Sequence, residues 1–574
     1  MRARPNGFIP LTKNKLIGLA LAAPALLWLA FAFVAPFGAV LLLAFQADTG
    51  PFAQMSLIPS GEQFRLMFAD RFYVDVLWRT TLLAIVVAAI SAALAYPVAF
   101  WLVRLPARWR PVGFALLLVP LLTNVVVRSL GIVLLLAPEG IINGITAAMG
   151  FPRFGTLLFN YGAVGLALLQ AFLPFMVLAL YDSIQATPPS VLEASESLGA
   201  SPASKFFAVQ FPLSLPGLAS GMSILFLMAS TSYVSATMLG GKKVWTTGML
   251  VWQEALQNLN APFASALALA MTLVGLGFAA LVSISLRRLT PWIVFRPSQS
   301  LATPKLVVQI ANAVLPFVRY VLLPLSLLFL LLPLMLVFVQ SFNDVPQATV
   351  AGFRGFTLRW YREVLIGSAY VDSFLVSLRL AAATLVVALA LALPLAFALV
   401  RYELPGREWW MAFLMLPLSL PHVAIGVGML RMLQAYTALP PFMGLLAVHV
   451  VLVLPFTIML LRASVLQLDT SLEDAAQSLG ANRMRRLFFV ILPGLAPGLC
   501  AAGIVSFLLS FEEVTVTSFL TTARLTTLPV RIYAEASFSL QPTVHAVSTL
   551  LILLTIAALA LLSRIMRLER VFSR

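Results

Sequence analysis

The chain has 574 residues, of which 61% are hydrophobic and only 10% are charged, and this composition excludes a soluble protein. A single cysteine, Cys500, excludes an intramolecular disulfide framework and a cysteine-rich metal site. The three histidines, His422, His449 and His545, are far apart and show no ligand spacing. We interpret each histidine as a packing or interfacial residue, and we predict no metal site.

The net formal charge is +16, but the positions of the basic residues argue against a nucleic-acid partner. If the N-terminus is cytoplasmic and the spans alternate, every basic cluster falls on the cytoplasmic side, which is the positive-inside bias. The charge therefore predicts the topology, with both termini in the cytoplasm, and contact with the lipid bilayer. The clusters are Arg2, Arg4, Lys13 and Lys15; Arg104, Arg108 and Arg110; Arg287 and Arg288; Arg483, Arg485 and Arg486; and Arg564, Arg567, Arg570 and Arg574.

Twelve apolar runs have the length of about 20 residues that is needed to cross roughly 30 Å of hydrocarbon. We therefore predict an all-α integral membrane protein with twelve transmembrane helices. The runs cover approximately residues 17–45, 77–102, 112–136, 159–181, 214–240, 262–286, 320–341, 373–400, 411–434, 443–464, 496–520 and 543–565.

The two halves of the chain repeat one plan. Residues of the first three spans recur 297 positions later in the second half, as Arg104 and Arg401 do. After the third span the offset is 281 positions, as between Gly199 and Gly480. Residues related by these offsets are called equivalent below. Each half has six spans, so both halves begin on the same side and the repeats are parallel.

The repeats predict the domain boundaries. We predict a first domain at 1–286, a cytoplasmic linker at 287–319 and a second domain at 320–574. The end of the linker is expected to form an interfacial amphipathic helix that leads into the seventh span.

A polar helical segment follows the fourth span, and its equivalent follows the tenth. A simple connecting loop is one interpretation, but helix–helix connections usually take only about 2–8 residues. The presence of the long segment in both halves favours docking to a repeated partner. These segments, called the first and the second elbow below, cover about residues 185–212 and 466–493.

Each elbow begins with the signal of a helix start. Ser190 followed by Glu193 predicts a capping box, in which the hydroxyl and the carboxylate satisfy each other's backbone N–H groups. Ser471 and Asp474 repeat the box with a shorter acid. The first helix of each elbow is therefore expected to start at these serines.

A tight turn and a second helix are predicted next. Gly199 and Gly480 stand where a helix would end in a left-handed residue. The second helix is expected to begin at an N-cap and to end at a proline before the next span. These residues are Ser201 and Pro212 in the first elbow, and Asn482 and Pro493 in the second.

The elbows resemble the coupling loop of binding-protein-dependent ABC importer permeases. The signature of that loop is Glu-Ala-Ala, then a glycine, an aliphatic residue and Leu-Pro at fixed spacing. The departures from it, Ser195, Phe211 and Asp474, are mild. The resemblance implies that the elbows couple to an ATPase through Glu193, Ala194, Gly199, Pro212, Asp474, Ala475, Gly480 and Pro493.

The resemblance extends along nearly the whole chain. The first half is similar to the first permease subunit of spermidine/putrescine-type importers in residues 96–100 and 173–176, and the second half is similar to the second subunit in residues 341–343 and 510–519. This implies the type I ABC importer permease fold, with two permease subunits fused in one chain of the bacterial cytoplasmic (inner) membrane.

The same resemblance implies partners. The sequence has no Gly-x-x-x-x-Gly-Lys-Ser/Thr phosphate loop, so we expect no catalytic site and no cofactor in this chain. ATP and Mg²⁺ would bind to separate ABC ATPase subunits, in two copies. An extracytoplasmic solute-binding protein is the other implied partner.

Polar residues inside the spans are candidates for the substrate path, because burying a charge there costs roughly 2.5–3.5 kcal/mol on insertion scales. Glu512 and Glu513 fall within the predicted eleventh span, where they either line a path for a cationic amine or serve as scaffold. Tyr233 either contacts the solute or belongs to an interfacial belt. Further candidates are Thr231, Ser232 and Asn124.

We therefore predict the permease of an ATP-driven importer that moves a small solute, with a polyamine or another amine-bearing compound such as an aminoalkylphosphonate as the first choice. The alternative is a secondary transporter with two parallel six-helix halves, which would not need repeated elbows. An intramembrane enzyme is disfavoured, because no Ser–His pair or His/Asp/Glu cluster appears in the spans.

Overall fold

The computed structural model describes residues 11–47, 59–289, 305–346, 352–404, 406–435, 440–538 and 541–565. Within these ranges the regular structure is helical, and the only β-type contacts are two isolated bridges, Asn343 with Phe356 and Thr522 with Leu525. The predicted all-α class is confirmed. Helices satisfy their backbone polar groups internally, which a chain surrounded by hydrocarbon requires.

The chain is divided into many α-helices of unequal length. Those before residue 290 are Leu11–Leu29, Ala35–Ala44, Glu62–Ala69, Arg71–Arg104, Arg110–Leu122, Val125–Leu136, Ile141–Ala148, Tyr161–Gln185, Pro189–Ser197, Pro202–Lys205, Phe211–Thr231, Val234–Gly240, Thr247–Leu256 and Ala261–Leu289. Those after residue 304 are Lys305–Phe317, Leu323–Gln340, Arg359–Ile366, Ser368–Arg401, Arg407–Ser419, His422–Ala435, Pro441–Gln467, Thr470–Ser478, Arg483–Arg486, Leu492–Phe511, Thr517–Leu520, Leu528–Phe538 and Thr543–Ile565.

By length and composition, eleven helices of the described chain can cross a bilayer, and the number is twelve when one bent pair of helices is taken as a single span. The predicted number of spans is thereby confirmed. The eleven helices are Asn14–Ala44, Arg71–Arg104, Val125–Ala148, Tyr161–Gln185, Pro202–Thr231, Ala261–Leu286, Asn312–Gln340, Ala369–Arg401, Pro441–Gln467, Arg483–Phe511 and Thr543–Ile565; the bent pair, which is the ninth span, is Arg407–Leu418 with His422–Ala435.

The third and the ninth span are broken, where the sequence predicted continuous helices over 112–136 and 411–434. The predicted third span consists of the short apolar helix Arg110–Leu122 and the helix that begins at Val125, with Thr123 and Asn124 between them. Asn124 Oδ1 accepts a hydrogen bond from Val126 N at 2.7 Å and so starts the second helix. In the ninth span the two helices meet at 87°. There Leu420 is extended because it precedes Pro421, and a proline disfavours the helical region for the residue before it.

The fifth and the eleventh span end earlier than predicted. The fifth ends at Thr231 rather than at residue 240, and the separate helix Val234–Gly240 follows. The eleventh ends at Phe511 rather than at residue 520, and the short helix Thr517–Leu520 follows. The residues predicted inside these spans therefore lie at two equivalent span breaks.

The prediction that Pro212 and Pro493 end the second elbow helices is wrong. Each elbow helix runs without interruption into the next span through a π-helical turn, Phe206–Gln210 or Leu487–Ile491. The other two π turns of the described chain also end shortly before a proline. In a regular α-helix a proline ring clashes with the backbone carbonyl four residues earlier. In both elbow helices the wider π turn contains the residue four positions before the proline.

Two compact units interleave along the sequence. One unit contains the described residues up to Ala39, the range Phe374–Thr527 and the described residues from Ala560 onward. The other contains Val40–Ser373 and Leu528–Leu559. The units are thus different from the two sequence halves, and the domain boundaries at 286 and 320 stay a prediction about the repeats.

The first span of each repeat explains this interleaving. Trp28 Nε1 in the first span donates a hydrogen bond to the carbonyl oxygen of Ala447 in the tenth span at 3.3 Å, within one unit. Within the other unit, Gln170 Nε2 in the fourth span donates to the carbonyl oxygen of Leu330 in the seventh span at 3.0 Å. Each repeat therefore contributes its first span to the packing of the other repeat's residues.

Close helix contacts through glycine recur at equivalent places. Gly217 in the fifth span packs on Ser183 of the fourth, and Gly498 in the eleventh packs on Ser464 of the tenth. Both members of the first pair are equivalent to those of the second. Small residues at such contacts let helix backbones approach closely, which is the usual basis of helix packing in membranes.

We expect Gly217→Ala and Gly498→Ala each to destabilise the protein by about 1–3 kcal/mol, because an added Cβ overpacks the helix contact. A Cβ at residue 217 would lie 2.4 Å from the backbone carbonyl oxygen of Ala179, and a Cβ at residue 498 would lie 2.6 Å from the Cβ of Ser464, which no change of rotamer moves. Gly277→Ala in the sixth span is the control, since an added Cβ there has no neighbour within 4 Å. Thermal unfolding of the variants in nanodiscs is the measurement, and losses no larger than that of Gly277→Ala would contradict the contact geometry.

Candidate functional site

The first elbow is a helix–turn–helix, as the sequence predicted. Its first helix, Pro189–Ser197, ends at Gly199, which has a left-handed φ of +74°. The N–H groups of Gly199 and Ala200 donate to the carbonyl oxygens of Glu196 and Ser195 at 2.9 and 3.1 Å, which is a Schellman motif. The turn is thus closed by backbone hydrogen bonds.

The second elbow has the same geometry. Its first helix, Thr470–Ser478, ends at Gly480, where φ is +82°. Ala481 N donates to the carbonyl oxygen of Ala476 at 3.0 Å. Asn482 then caps the following helix by accepting from Arg485 N at 2.9 Å, in the way that Ser201 accepts from Ser204 N at 3.2 Å in the first elbow. The predicted left-handed glycines and N-caps are confirmed.

The predicted capping boxes are wrong, because both first helices start earlier than predicted. The N-cap of the first elbow is Pro188, which has no side-chain cap, and Ser190 lies inside the first turn. In the second elbow Asp469 is the N-cap and accepts from Ser471 N at 2.9 Å. This hydrogen bond holds the pKa of Asp469 below its usual value, so the cap is present at neutral pH and is lost only as pH falls through that lowered pKa.

The tips of the elbows are exposed and apolar at matching positions. Leu198 is 87% exposed and Leu479 is 88% exposed, and Val191 and Leu472 are exposed on the same helix face, each seven residues or about two turns earlier. Of the predicted coupling residues, those on the elbows are exposed, whereas the two prolines lie in the spans. The exposed ones are Glu193, Ala194, Gly199, Asp474, Ala475 and Gly480.

The elbows are held by different contacts. In the second elbow, Arg401 Nη2 of the eighth span lies 3.2 Å from Glu473 Oε1 and donates to the carbonyl oxygen of Leu468 at 3.4 Å. The first elbow has Leu192 at the position equivalent to Glu473, so it cannot form this ion pair. In the first elbow, an ion pair with Lys205 holds the pKa of Glu196 below its usual value.

The candidates for the substrate path occupy the two equivalent span breaks. Thr231, Ser232 and Tyr233 follow the fifth span, and their equivalents after the eleventh begin with Glu512 and Glu513. Thus the same break carries hydroxyl and aromatic side chains in the first repeat and carboxylates in the second. Glu512 is the C-cap residue of its helix and is half-buried.

The carboxylate of Glu513 holds the second break together. It accepts hydrogen bonds from Val516 N at 2.8 Å, from Thr517 N at 2.9 Å and from Thr517 Oγ1 at 2.5 Å. His449 of the tenth span bridges Thr517 Oγ1 at 2.9 Å and Ser510 Oγ at 2.8 Å through its two ring nitrogens. These contacts favour the scaffold interpretation for Glu513, and Glu512 stays a candidate for the path.

Tyr233 belongs to a buried aromatic cluster. Its ring stacks on Trp252 with the centroids 5.9 Å apart and meets Tyr533 edge-on at 5.8 Å. The interfacial-belt alternative does not fit a side chain that is 1% exposed. Trp252 and Tyr533 are not among the predicted site residues, although they are equivalent, and aromatic residues at equivalent repeat positions are a signal in the sequence.

The remaining candidates have hydrogen-bonding roles. Asn124 is buried and caps the helix after the third-span break. Thr231 Oγ1 donates to the carbonyl oxygen of Met228 at 3.2 Å, and the carbonyl oxygen of Ser232 accepts from Thr246 Oγ1 at 3.5 Å. These contacts stabilise the breaks, and any contact of the three residues with a solute stays a prediction.

Comparisons with known proteins bear on the whole chain. Residues 87–295 and 388–569 each match the family described as the binding-protein-dependent transport system inner membrane component. The two matches together cover more than half of the chain, and their presence in both halves confirms the predicted fusion of two permease regions. The matches also identify the chain as a component of a binding-protein-dependent transport system, rather than an intramembrane enzyme or a secondary transporter.

Individual relatives cover one permease region at a time. The chain is 30% identical over 249 residues to the spermidine/putrescine transport system permease protein PotB of Haemophilus influenzae, covering 43% of this chain and 86% of the relative. It is 28% identical over 241 residues to the putrescine transport system permease protein PotI of Escherichia coli K12, covering 41% and 85%. A crystal structure of a bacterial alginate ABC transporter with a periplasmic protein matches at 14% identity and a TM-score of 0.42, covering 48% of this chain and 96% of that one.

We expect Glu513→Gln to destabilise the protein, whereas the control Glu193→Gln, on an exposed face of the first elbow, should leave its stability nearly unchanged. An amide has one acceptor oxygen and brings two donors, so residue 513 would lose an accepted hydrogen bond and leave a buried group unpaired, which costs about 1–3 kcal/mol. Thermal unfolding of each variant in nanodiscs is the measurement. A stable Glu513→Gln protein that fails to transport would instead assign this carboxylate to the solute path.

Proposed function

The chain belongs to the family of binding-protein-dependent transport system inner membrane components, and we propose that it forms the whole membrane path of an ATP-driven polyamine importer. In this family the ATPase is a separate subunit, and the permease has no cofactor of its own. The observation that carries the proposal is the repeated elbow, with its left-handed glycine and its exposed leucine at the tip.

The elbows are the proposed docking sites for two ATPase subunits, one at each elbow, on the cytoplasmic side. A large apolar side chain that is almost fully exposed at the same place in both repeats is best explained by a partner that covers it. ATP binding would bring the ATPase subunits together and favour a state of the spans that is open to a solute-binding protein, and hydrolysis would reverse it. The ligand acts by stabilising one of two states.

A polyamine is the proposed solute. The relatives PotB and PotI are named as permeases for spermidine and putrescine. In this chain, Trp252 is the partly exposed member of the aromatic cluster with the buried Tyr233 and Tyr533, and its ring offers a cation–π surface. Separately, in the other unit, Glu512 offers a negative charge at the second span break. An alkylammonium ion is attracted by both kinds of group.

We expect the double variant Leu198→Asp with Leu479→Asp to lose the co-purifying ATPase, because a charge at each tip would have to be desolvated in an apolar contact. The matched control is Ser197→Asp with Ser478→Asp, which adds the same charges one residue earlier on exposed positions. The measurement is the amount of ATPase that purifies with each variant and its ATP hydrolysis in nanodiscs. Full retention by the leucine double variant would contradict docking at the elbow tips.

We expect Trp252→Leu to raise the KM of putrescine and spermidine uptake by roughly 2- to 30-fold, the equivalent of a cation–π contact of about 0.5–2 kcal/mol. Trp252→Phe keeps an aromatic ring and should transport nearly normally, and Trp409→Leu is the control at an exposed tryptophan. Uptake of radiolabelled putrescine, spermidine and 2-aminoethylphosphonate into cells that express the complete system is the measurement. Uptake of the phosphonate alone would replace the polyamine assignment with an aminoalkylphosphonate.

A further inference from the structure

The helix that enters the seventh span lies against the first elbow. This helix, Lys305–Phe317, packs on the second helix of the first elbow, Pro202–Lys205, and both helices belong to one compact unit. Asn312 makes two hydrogen bonds across the contact. Its Oδ1 accepts from Ala203 N at 3.1 Å, and its Nδ2 donates to Ser201 Oγ at 3.2 Å.

Asn312 completes the N-terminus of the elbow helix. The first N–H groups of a helix have no partner within the helix and need acceptors from elsewhere. Pro202 has no N–H, Ser204 N donates to Ser201 Oγ, and Ala203 N donates to Asn312. The helix at the end of the linker therefore supplies, through Asn312, the acceptor for Ala203 N that the elbow itself lacks.

Among the described residues, no such helix covers the second elbow. Ala203 is 4% exposed, whereas Met484 at the equivalent position is 65% exposed. The second elbow instead has the Arg401–Glu473 ion pair to the eighth span. The first elbow is thus attached to the helix before the seventh span, and the second elbow is attached to the eighth span.

The helix that carries Asn312 continues into the core of its unit. It passes through the π turn Val318–Leu322 into the helix Leu323–Gln340. There the backbone of Pro333 lies so close to Gly131 of the third span that an added Cβ would come within 2.3 Å of the Pro333 carbonyl oxygen. The helix that carries Asn312 is thus continuous with the segment that contacts the third span.

We propose that Asn312 is a positioning residue that ties the first elbow to the seventh span, so that one elbow moves a span of the other repeat. Because the linker joins the two repeats in one polypeptide, this tie couples the repeats directly. The coupling is additional to any that the ATPase subunits provide. The inference rests on the proposed ATPase docking for its transport consequence, but the tie itself is independent of the partner.

The first test measures the tie without a partner. Hydrogen exchange of the full chain in nanodiscs is compared for wild type, Asn312→Leu and Asn312→Asp. Asn312→Leu should increase exchange in the first elbow and not in the second, whereas Asn312→Asp keeps an acceptor for Ala203 N and should preserve protection. Unchanged exchange in Asn312→Leu, or an equal increase in both elbows, would overturn the tie.

The second test measures coupling in the complex with the ATPase. Asn312→Leu should retain the ATPase and its basal hydrolysis but transport roughly fivefold less putrescine per ATP, the lower end of usual allosteric coupling. Asn312→Asp should restore the ratio. Asn482→Leu, which removes the cap of the second elbow, is the control for loss of a cap alone. An unchanged ratio in Asn312→Leu would refute coupling through this residue, whereas a wild-type chain that binds no ATPase would refute the proposed function.

Discussion

The requirement that every backbone polar group has a partner in hydrocarbon governs this structure. Spans that run as unbroken helices meet it by themselves, but each break must meet it with side chains. Asn124 caps the break in the third span, and Glu513 accepts two backbone N–H groups after the eleventh. Where a proline removes a donor inside a helix that leaves an elbow, a π turn precedes it. The polar residues at the breaks are thus first of all solutions to this constraint, and solute binding has to be compatible with that role.

One scaffold carries different chemistry in its two repeats. The glycine–serine contacts, the left-handed glycines and the span breaks recur at equivalent positions. The side chains on this scaffold differ, since Thr231 is equivalent to Glu512 and Leu192 is equivalent to Glu473. A fused chain can vary the two copies separately, whereas a homodimer cannot. The asymmetry is therefore concentrated at the breaks and the elbows.

Periodicity and repetition predict most of the fold. The number of spans, the elbows and the glycine turns follow from apolar runs and from local signals such as Gly199, which act over one or two helical turns. The breaks were missed because the span limits were set by apolar composition alone. Leu420 has a local signal in the following Pro421, whereas Thr123 is followed by no proline. The role of Glu513 depends on contacts that no sequence pattern displays, whereas the aromatic partners of Tyr233 lie at equivalent positions and have a signal in the repeat. Sequence reasoning found the positions of the site but not its hydrogen-bond partners.

The exchange of first spans has a consequence for biosynthesis. Trp28 and its acceptor, the carbonyl of Ala447, are separated by 419 residues. At a synthesis rate of about 5–20 residues per second, the first span waits roughly 20–80 s in the bilayer before its partner helix is made. During that time the carbonyl group that accepts from the indole N–H in the folded chain is absent. Such a long wait favours insertion factors that shield single helices, and it makes the folding of this membrane protein sensitive to the order in which its helices leave the translocation machinery.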